Sequence, residues 1–242
     1  MTTPAALLAT LDRLATSGER VAFWLRDDDA FEPTPALDRL LQTMLGQPLT
    51  LAVIPDQTGA PLAQRLAGRA EVSIAVHGWS HSNHAPAGEK SQELGAHRPL
   101  PQIHGELGRG FQKLAALFPQ QFLPLLVPPW NRIAPEVTAG LSDLGFRALS
   151  LFGADKPSPI ALCNTHLDII DWRGTRGGRE DADLWKDLEA QIAAGRRTVG
   201  VLTHHLVHDA AAWRFLDRLV PLVVNHPACR WHSVSRLVAL GD

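Results

Sequence analysis

Three adjacent carboxylates, Asp27-Asp28-Asp29, follow the apolar run Val21-Ala22-Phe23-Trp24-Leu25. Neighbouring carboxylates repel one another unless a cation, a protonation change or solvent relieves them. Arg26 can offset one of these charges but not three, so the triplet points to a bound cation, against the alternative of a solvated acidic turn. A second cluster, His77-Gly78-Trp79-Ser80-His81, sets two imidazoles four residues apart. On a helical turn that spacing puts both rings on one face within reach of one ion. Two imidazoles with one carboxylate leave coordination positions open to water and substrate. His84 offers a competing pair with His81 at spacing three. His77 and His81 are the favoured pair because His77 directly follows an apolar, strand-like run, and His84 reads as a nearby polar residue.

Further along, Pro128-Pro129-Trp130-Asn131-Arg132 makes a stiff turn whose prolines restrict the backbone, able to hold one N–H in place. The alternative is a structural loop around a packed Trp. Asp168-Ile169-Ile170-Asp171-Trp172 joins two carboxylates to an aromatic ring, and His204-His205-Leu206-Val207-His208-Asp209 supplies histidines. A buried carboxylate beside an imidazole fixes its tautomer and raises its pKa toward use as an acid. For the histidine run, a second metal site or a polar helix N-terminus stays open as an alternative.

Short apolar, β-branched runs alternate with stretches of helical periodicity, the pattern of repeated βα units. Strands are expected near 21–26, 49–54, 71–76, 122–127, 147–152, 163–170, 198–203 and 231–234. Helices are expected at 4–15, 34–45, 60–67, 102–117, 135–144, 182–193 and 211–224, several opened by Pro or Asp. Each polar cluster falls at or near the carboxyl end of an expected strand. In a parallel barrel those ends open on one face, where active sites are built from the βα loops. An open doubly wound sheet gathers ligands at the same ends, so the pattern speaks more firmly for a site than for barrel closure.

Composition narrows the function classes. The 242 residues are 45% hydrophobic and 20% charged, with a formal net charge of -2, an ordinary globular balance that calls for neither nucleic acid nor a membrane surface. No linker divides the chain, so one domain spanning 1–242 is expected. Residues 1–20 lack a basic start and a long apolar core and read as an amphipathic helix, so the expectation is a soluble protein kept in the cytoplasm. Cys163 and Cys229 are too few and too far apart for a disulfide framework or a local metal motif, and read as reduced structural thiols. The oligomeric state is not legible.

Taken in order, these five segments resemble the polysaccharide deacetylase family, also called the NodB-homology or carbohydrate esterase 4 family, over residues 26–208. Its first motif, T-F-D-D-G, is similar to Arg26-Asp27-Asp28-Asp29-Ala30, which matches Asp28 to the catalytic base and Asp29 to a metal ligand; a shift by one residue stays open. Its second, H-[ST]-x-S-H, matches His77 and His81 to the other two ligands. Its third, R-x-P-[YF], keeps Pro129 and Trp130, with Val127 at the usual Arg position. Its fourth, D-x-x-D-W, is complete at Asp168 to Trp172, and its fifth, L-x-H, at Leu202-Thr203-His204 makes His204 the match for the catalytic acid.

The resemblance implies a distorted, seven-stranded, TIM-like (β/α) barrel and one divalent ion, zinc first, with cobalt, nickel or manganese as alternatives. It implies hydrolysis of an N-acetyl group on a sugar or small glycan. Asp28 would take the proton, the Trp130 N–H would bind the oxyanion, and His204, oriented by Asp171, would protonate the amine. Trp79, Trp130 and Trp172, with Pro129 and Arg132, would line the substrate. Arg26, Arg132 or Arg173 would replace the missing third-motif Arg. A divergent intracellular branch with a smaller substrate is expected. An amidohydrolase of cyclic ureides and a catalytically silent metal-binding relative are the other classes.

Overall fold

The computed structural model describes residues 4–238. In chain order the elements are α1 (Ala5–Thr16), β1 (Val21–Ala30), α2 (Pro35–Thr43), β2 (Leu49–Val53), α3 (Ala60–Leu66), β3 (Val72–Val76), α4 (Leu100–Leu117), β4 (Phe122–Leu126), α5 (Pro135–Ala139), β5 (Ala148–Leu149), β6 (Ala161–Leu162), β7 (Leu167–Asp168), α6 (Asp181–Ala193), β8 (Thr198–Thr203), α7 (Ala210–Asn225), β9 (Cys229–Trp231) and α8 (Val234–Val238). The strands form one sheet in the order β6-β5-β4-β3-β2-β1-β8-β7, with β9 added beside β1. Every strand pairing with a defined register is parallel, as alternating β and α segments require.

The chain groups into two compact units, each drawn from three segments: residues up to 26, 34–49 and 165–233, and residues 27–33, 50–164 and 234 onward. In the first, β9 pairs with the start of β1, Val21 opposite Cys229 and Phe23 opposite Trp231, and β7 pairs with β8. Leu7, Leu11 and Leu14 form the buried stripe of α1, which packs on α6. Asp209 caps α7 by accepting from the Ala211 and Ala212 amides, worth about 1 kcal/mol for a helix start. In the second unit, β3, β4, β5 and β6 follow one another across the sheet, and α4 packs on β3 and β4. Phe111 of α4 meets Phe122 and Phe146 edge to face, at 4.8 and 5.1 Å between ring centroids.

Three expected elements differ. The long strand expected at 163–170 is broken, because polar side chains take the backbone amides that a ladder would use: the Asn164 carbonyl oxygen accepts from Leu151 N–H at 2.8 Å, and Asp168 Oδ1 accepts from Ile170 N–H at 3.0 Å. The helix expected to reach 144 stops at Ala139, where Gly140 admits the close approach of His104 from α4. The last strand starts at Cys229, two residues early, and residues 234–238 are helical. Both cysteines are free and buried, and burial pushes the Cys229 thiol up to about 12. Among the described residues no helix is long and apolar enough to cross a membrane.

One half-buried imidazole couples this fold to pH. His166 joins β7 to β8: its Nδ1 accepts from Gly200 N–H at 3.1 Å while its own N–H donates to the Gly200 carbonyl at 2.6 Å. Burial, then the Arg196 charge, hold His166 down to about 4 from the usual 6.5. An accepting Nδ1 requires the neutral ring, so stability tied to this residue is fully present above pH 6.5 and is lost as pH falls toward 4. Allowing for partial solvent screening, unfolding in urea should show a loss of about 1–2 kcal/mol between pH 7 and pH 4.5. His166→Gln, which keeps an acceptor but cannot charge, should flatten that slope. Parallel losses in both proteins would clear His166 of the effect.

Candidate metal centre

The charged end of β1 carries the first ligand. The strand runs on through the carboxylate triplet, burying Asp27 and Asp28 and leaving Asp29 partly exposed. Asp29 adopts φ 69, a left-handed conformation uncommon outside glycine, one residue before the strand ends at Ala30. β3 delivers the second ligand, His77, which follows its last residue. Asp29 Oδ1 lies 3.1 Å from His77 Nε2 and 3.3 Å from His81 Nε2. One donor atom from each of Asp29, His77 and His81 falls within 4.8 Å of the others, the arrangement a single cation needs. Of the triplet, then, Asp29 is the carboxylate that meets both imidazoles. His84 stands outside the group, its N–H donating to the Gln92 carbonyl.

His77 is prepared as a ligand. Its Nδ1–H donates to the Val127 carbonyl at 2.8 Å, which fixes the tautomer and turns the Nε2 lone pair toward Asp29. Burial opposes charge on this ring, but the Asp29 hydrogen bond, the charges of Asp28 and Asp29 and the Val127 carbonyl outweigh it and raise His77 above free imidazole. His81 moves the other way, lowered by burial and then by its neighbour His77. The donor set fits a divalent ion bound by nitrogen and oxygen.

The segment between the two histidines is not the helical turn expected from their spacing. Gly78 at φ 60 and His81 at φ 58 fold residues 77–81 into a loop. Glu93 holds it there, a residue that nothing in its polar surroundings marks out. Its carboxylate accepts from the Trp79 and Ser80 amides, at 3.3 and 2.8 Å, and from the Ser80 hydroxyl at 3.2 Å. The sequence hint was Gly78, whose missing side chain makes room for that carboxylate and for Pro129.

The proline turn also serves this loop. Val127, at the position where the family resemblance looks for Arg, works through its main chain on His77. Pro129–Asn131 is a short 3-10 turn, and the Trp130 ring lies 4.3 Å from that of His81. Trp130 and Asn131 are both left-handed, at φ 55 and 56, a strain of about 1 kcal/mol or more per residue that the prolines must hold. Arg132 Nη1 donates to the Ser91 carbonyl at 2.7 Å. Trp79 has one face under the Arg109 guanidinium, 5.0 Å from its ring centre.

The remaining sequence-expected residues lie in the other unit and form their own group. Trp172, 38% exposed, meets the ring of the nearly buried His204 edge to face at 4.7 Å. Asp168 Oδ2 accepts from Trp172 Nε1 at 2.9 Å and so sets the indole's orientation. The Asp171 carboxylate accepts from the Gly174 and Thr175 amides at 3.0 and 3.1 Å, shaping the loop that follows Trp172. Arg173 is exposed on that loop, and Arg26 is fully buried in β1.

No family model and no curated relative matches the sequence. Solved structures do match. A Mycobacterium smegmatis protein assigned to the polysaccharide deacetylases superposes with TM-score 0.68 at 17% identity, over 92% of this chain and 90% of that one. A family 4 acetyl xylan esterase from Clostridium thermocellum, in complex with a cobalt ion, gives 0.61 at 16% identity over 90% and 91%. A peptidoglycan deacetylase from Bacillus subtilis gives 0.55 at 15% identity over 91% of each chain. The fold is therefore the distorted (β/α) barrel of the polysaccharide deacetylases.

The geometry separates ligands from neighbours. Asp29→Asn and His81→Ala should each lower bound divalent metal at least tenfold in elemental analysis of the purified protein, whereas His84→Ala should leave it near wild type. A larger loss in His84→Ala than in His81→Ala would reassign the pair.

Proposed function

We propose that this protein is a divalent-metal-dependent hydrolase of amide C–N bonds that removes an N-acetyl group from a sugar or small glycan. The observation that carries the proposal is the convergence of Asp29, His77 and His81 within 4.8 Å, with the buried carboxylate of Asp28 adjacent in the chain. The shared fold supports it. Asp29, His77 and His81 would hold the ion, zinc first, with cobalt, nickel or manganese able to replace it. A divalent ion there supplies Lewis-acid polarisation of the carbonyl and lowers the pKa of water.

The protein's own groups do the rest. Asp28, whose charge already acts on His77, takes the proton from the attacking water. The Trp130 N–H, held by the stiff Pro128-Pro129 turn, donates to the developing oxyanion, a role worth about 3–4 kcal/mol per donor in other hydrolases. His204 hands a proton to the leaving amine. Its ring is positioned by Trp172, itself fixed by Asp168, and Asp171 contributes by holding the loop that carries Trp172's successors. The exposed indole of Trp172 offers one apolar face on which a sugar ring stacks, and Trp79 and Trp130, with Pro129 and Arg132, are the other substrate contacts of this reading. The cytoplasm is the matching compartment for a chain with two reduced, buried thiols.

Acetate release from N-acetylated sugars and short chito-oligomers by the metal-loaded protein tests the proposal. Turnover of cyclic ureides without acetate release would move the assignment to that amidohydrolase class. Loaded protein inert on the whole panel would mark it as a silent relative. Asp28→Asn should keep its metal and lose about 10²–10⁴-fold in kcat. If Asp27→Asn kills turnover while Asp28→Asn empties the site, the register shifts by one.

The acid group has its own test. His204→Ala should keep its metal and lower kcat by a similar 10²–10⁴-fold, and adding Asp171→Asn should cost little more, as expected of groups acting as one unit. Metal loss in His204→Ala would make it a ligand, and full activity in Asp171→Asn would remove that residue from the unit.

A further inference from the structure

We propose that Glu93 is a positioning residue of the metal centre: its buried carboxylate fixes the loop that carries His81 and adds an uncompensated negative charge behind the ligands. The proposal rests on the metal-binding reading above. Glu93 is fully buried, and removing a carboxylate from water costs several kcal/mol unless donors and charge replace the lost hydration. Here the replacement comes from neutral donors, the Trp79 and Ser80 amides and the Ser80 hydroxyl. Among the described residues no Lys or Arg forms an ion pair with this carboxylate. The carboxylate is therefore hydrogen-bonded but not ion-paired, and it is held on Ser80, the residue next to His81. An ionised carboxylate held one residue from a ligand favours a cation bound there.

The position of the carboxylate is set from three sides. Arg98 Nη2 donates to the Glu93 carbonyl at 3.2 Å, and the same guanidinium is anchored on Glu106 through Nη1 at 3.0 and 2.8 Å. Leu94 bridges to Ile133, and its carbonyl accepts from Ala134 N–H at 2.8 Å. Upstream, the Asn83 side chain accepts from the Ala85 and Gln92 amides, both at 3.0 Å, closing residues 83–92 on themselves. Glu93 thus emerges from a braced segment rather than a loose one. The fit is tight on the far side as well, since a Cβ at Gly78 would overlap the Glu93 carboxylate and come within 2.7 Å of Pro129. Glycine at 78, glutamate at 93 and proline at 129 form one interlock that holds the histidine loop in shape.

The test is divalent-metal affinity, measured with cobalt and zinc by chelator competition, alongside urea unfolding of the metal-free protein. Wild type is measured first, and a wild type that binds neither ion overturns the metal reading itself. Given wild-type binding, Glu93→Gln should weaken it about 10- to 100-fold while the metal-free protein still unfolds in one cooperative step. Gln keeps one acceptor but brings an NH₂ group against the loop amides and removes the charge. Glu93→Asp, which restores charge without full reach, should recover part of the loss. Wild-type affinity in a folded Glu93→Gln overturns the proposal, as does equal loss in the Gln and Asp variants, which would assign Glu93 to packing alone. If Glu93→Gln does not fold, Ser80→Ala decides: removing that donor should weaken binding about 3- to 10-fold, and unchanged affinity overturns the proposal.

Discussion

Taking Asp27, Asp28 and Glu93 out of water costs several kcal/mol for each ionised group, and much of the surrounding structure can be read as the response to that cost. Burial works against charge on the His77 ring, but the Asp29 hydrogen bond and the charges of Asp28 and Asp29 raise it toward its charged form. Loop amides that would otherwise face solvent are turned onto Glu93. A cation of charge two would meet the same need more completely, and that is the physical ground of the proposed metal site.

The groups that answer this charge are held by backbone conformations that resist adjustment. Asp29, His81, Trp130 and Asn131 are all left-handed without being glycine. Such residues persist only where their surroundings over-determine them, and they cluster at functional sites. Here the surroundings are prolines at 128 and 129, the Val127 carbonyl and the braced segment around Glu93. Rigidity on this scale suits a site that must present ligands at fixed spacing to a small ion. It suits less well a surface that adapts to many partners.

Much of this was legible in the sequence, and the exceptions share a cause. Strand ends could be found because apolar runs such as Val72 to Val76 stop abruptly at His77, and period and composition are local signals. The candidate trio came from residue type together with the family resemblance, and the structure brings Asp29, His77 and His81 together. The loop geometry between His77 and His81 did not, because four-residue spacing suits a helix and a loop alike, and the deciding contacts come from residues 93 and 129. Nor could the break at Asn164 be foreseen, since an Asn inside an apolar stretch reveals its hydrogen bonds only once partners are placed. Asp168 and Asp171 illustrate the same limit: the sequence pairs two carboxylates with one Trp, and only coordinates show that Asp168 takes the indole while Asp171 takes loop amides.

The braced origin of Glu93 bears on how such a centre can be copied. A five-residue stretch with two histidines looks portable, the kind of motif a designer would splice after a strand in an unrelated scaffold and complete with one carboxylate. Spliced that way, it would arrive without Glu93, twelve residues past His81, which supplies its anionic floor, and its glycine would be free to wander. The smallest transplantable unit is instead the pair of distant segments, 77–98 and 127–134, together with the glutamate of α4 that anchors Arg98.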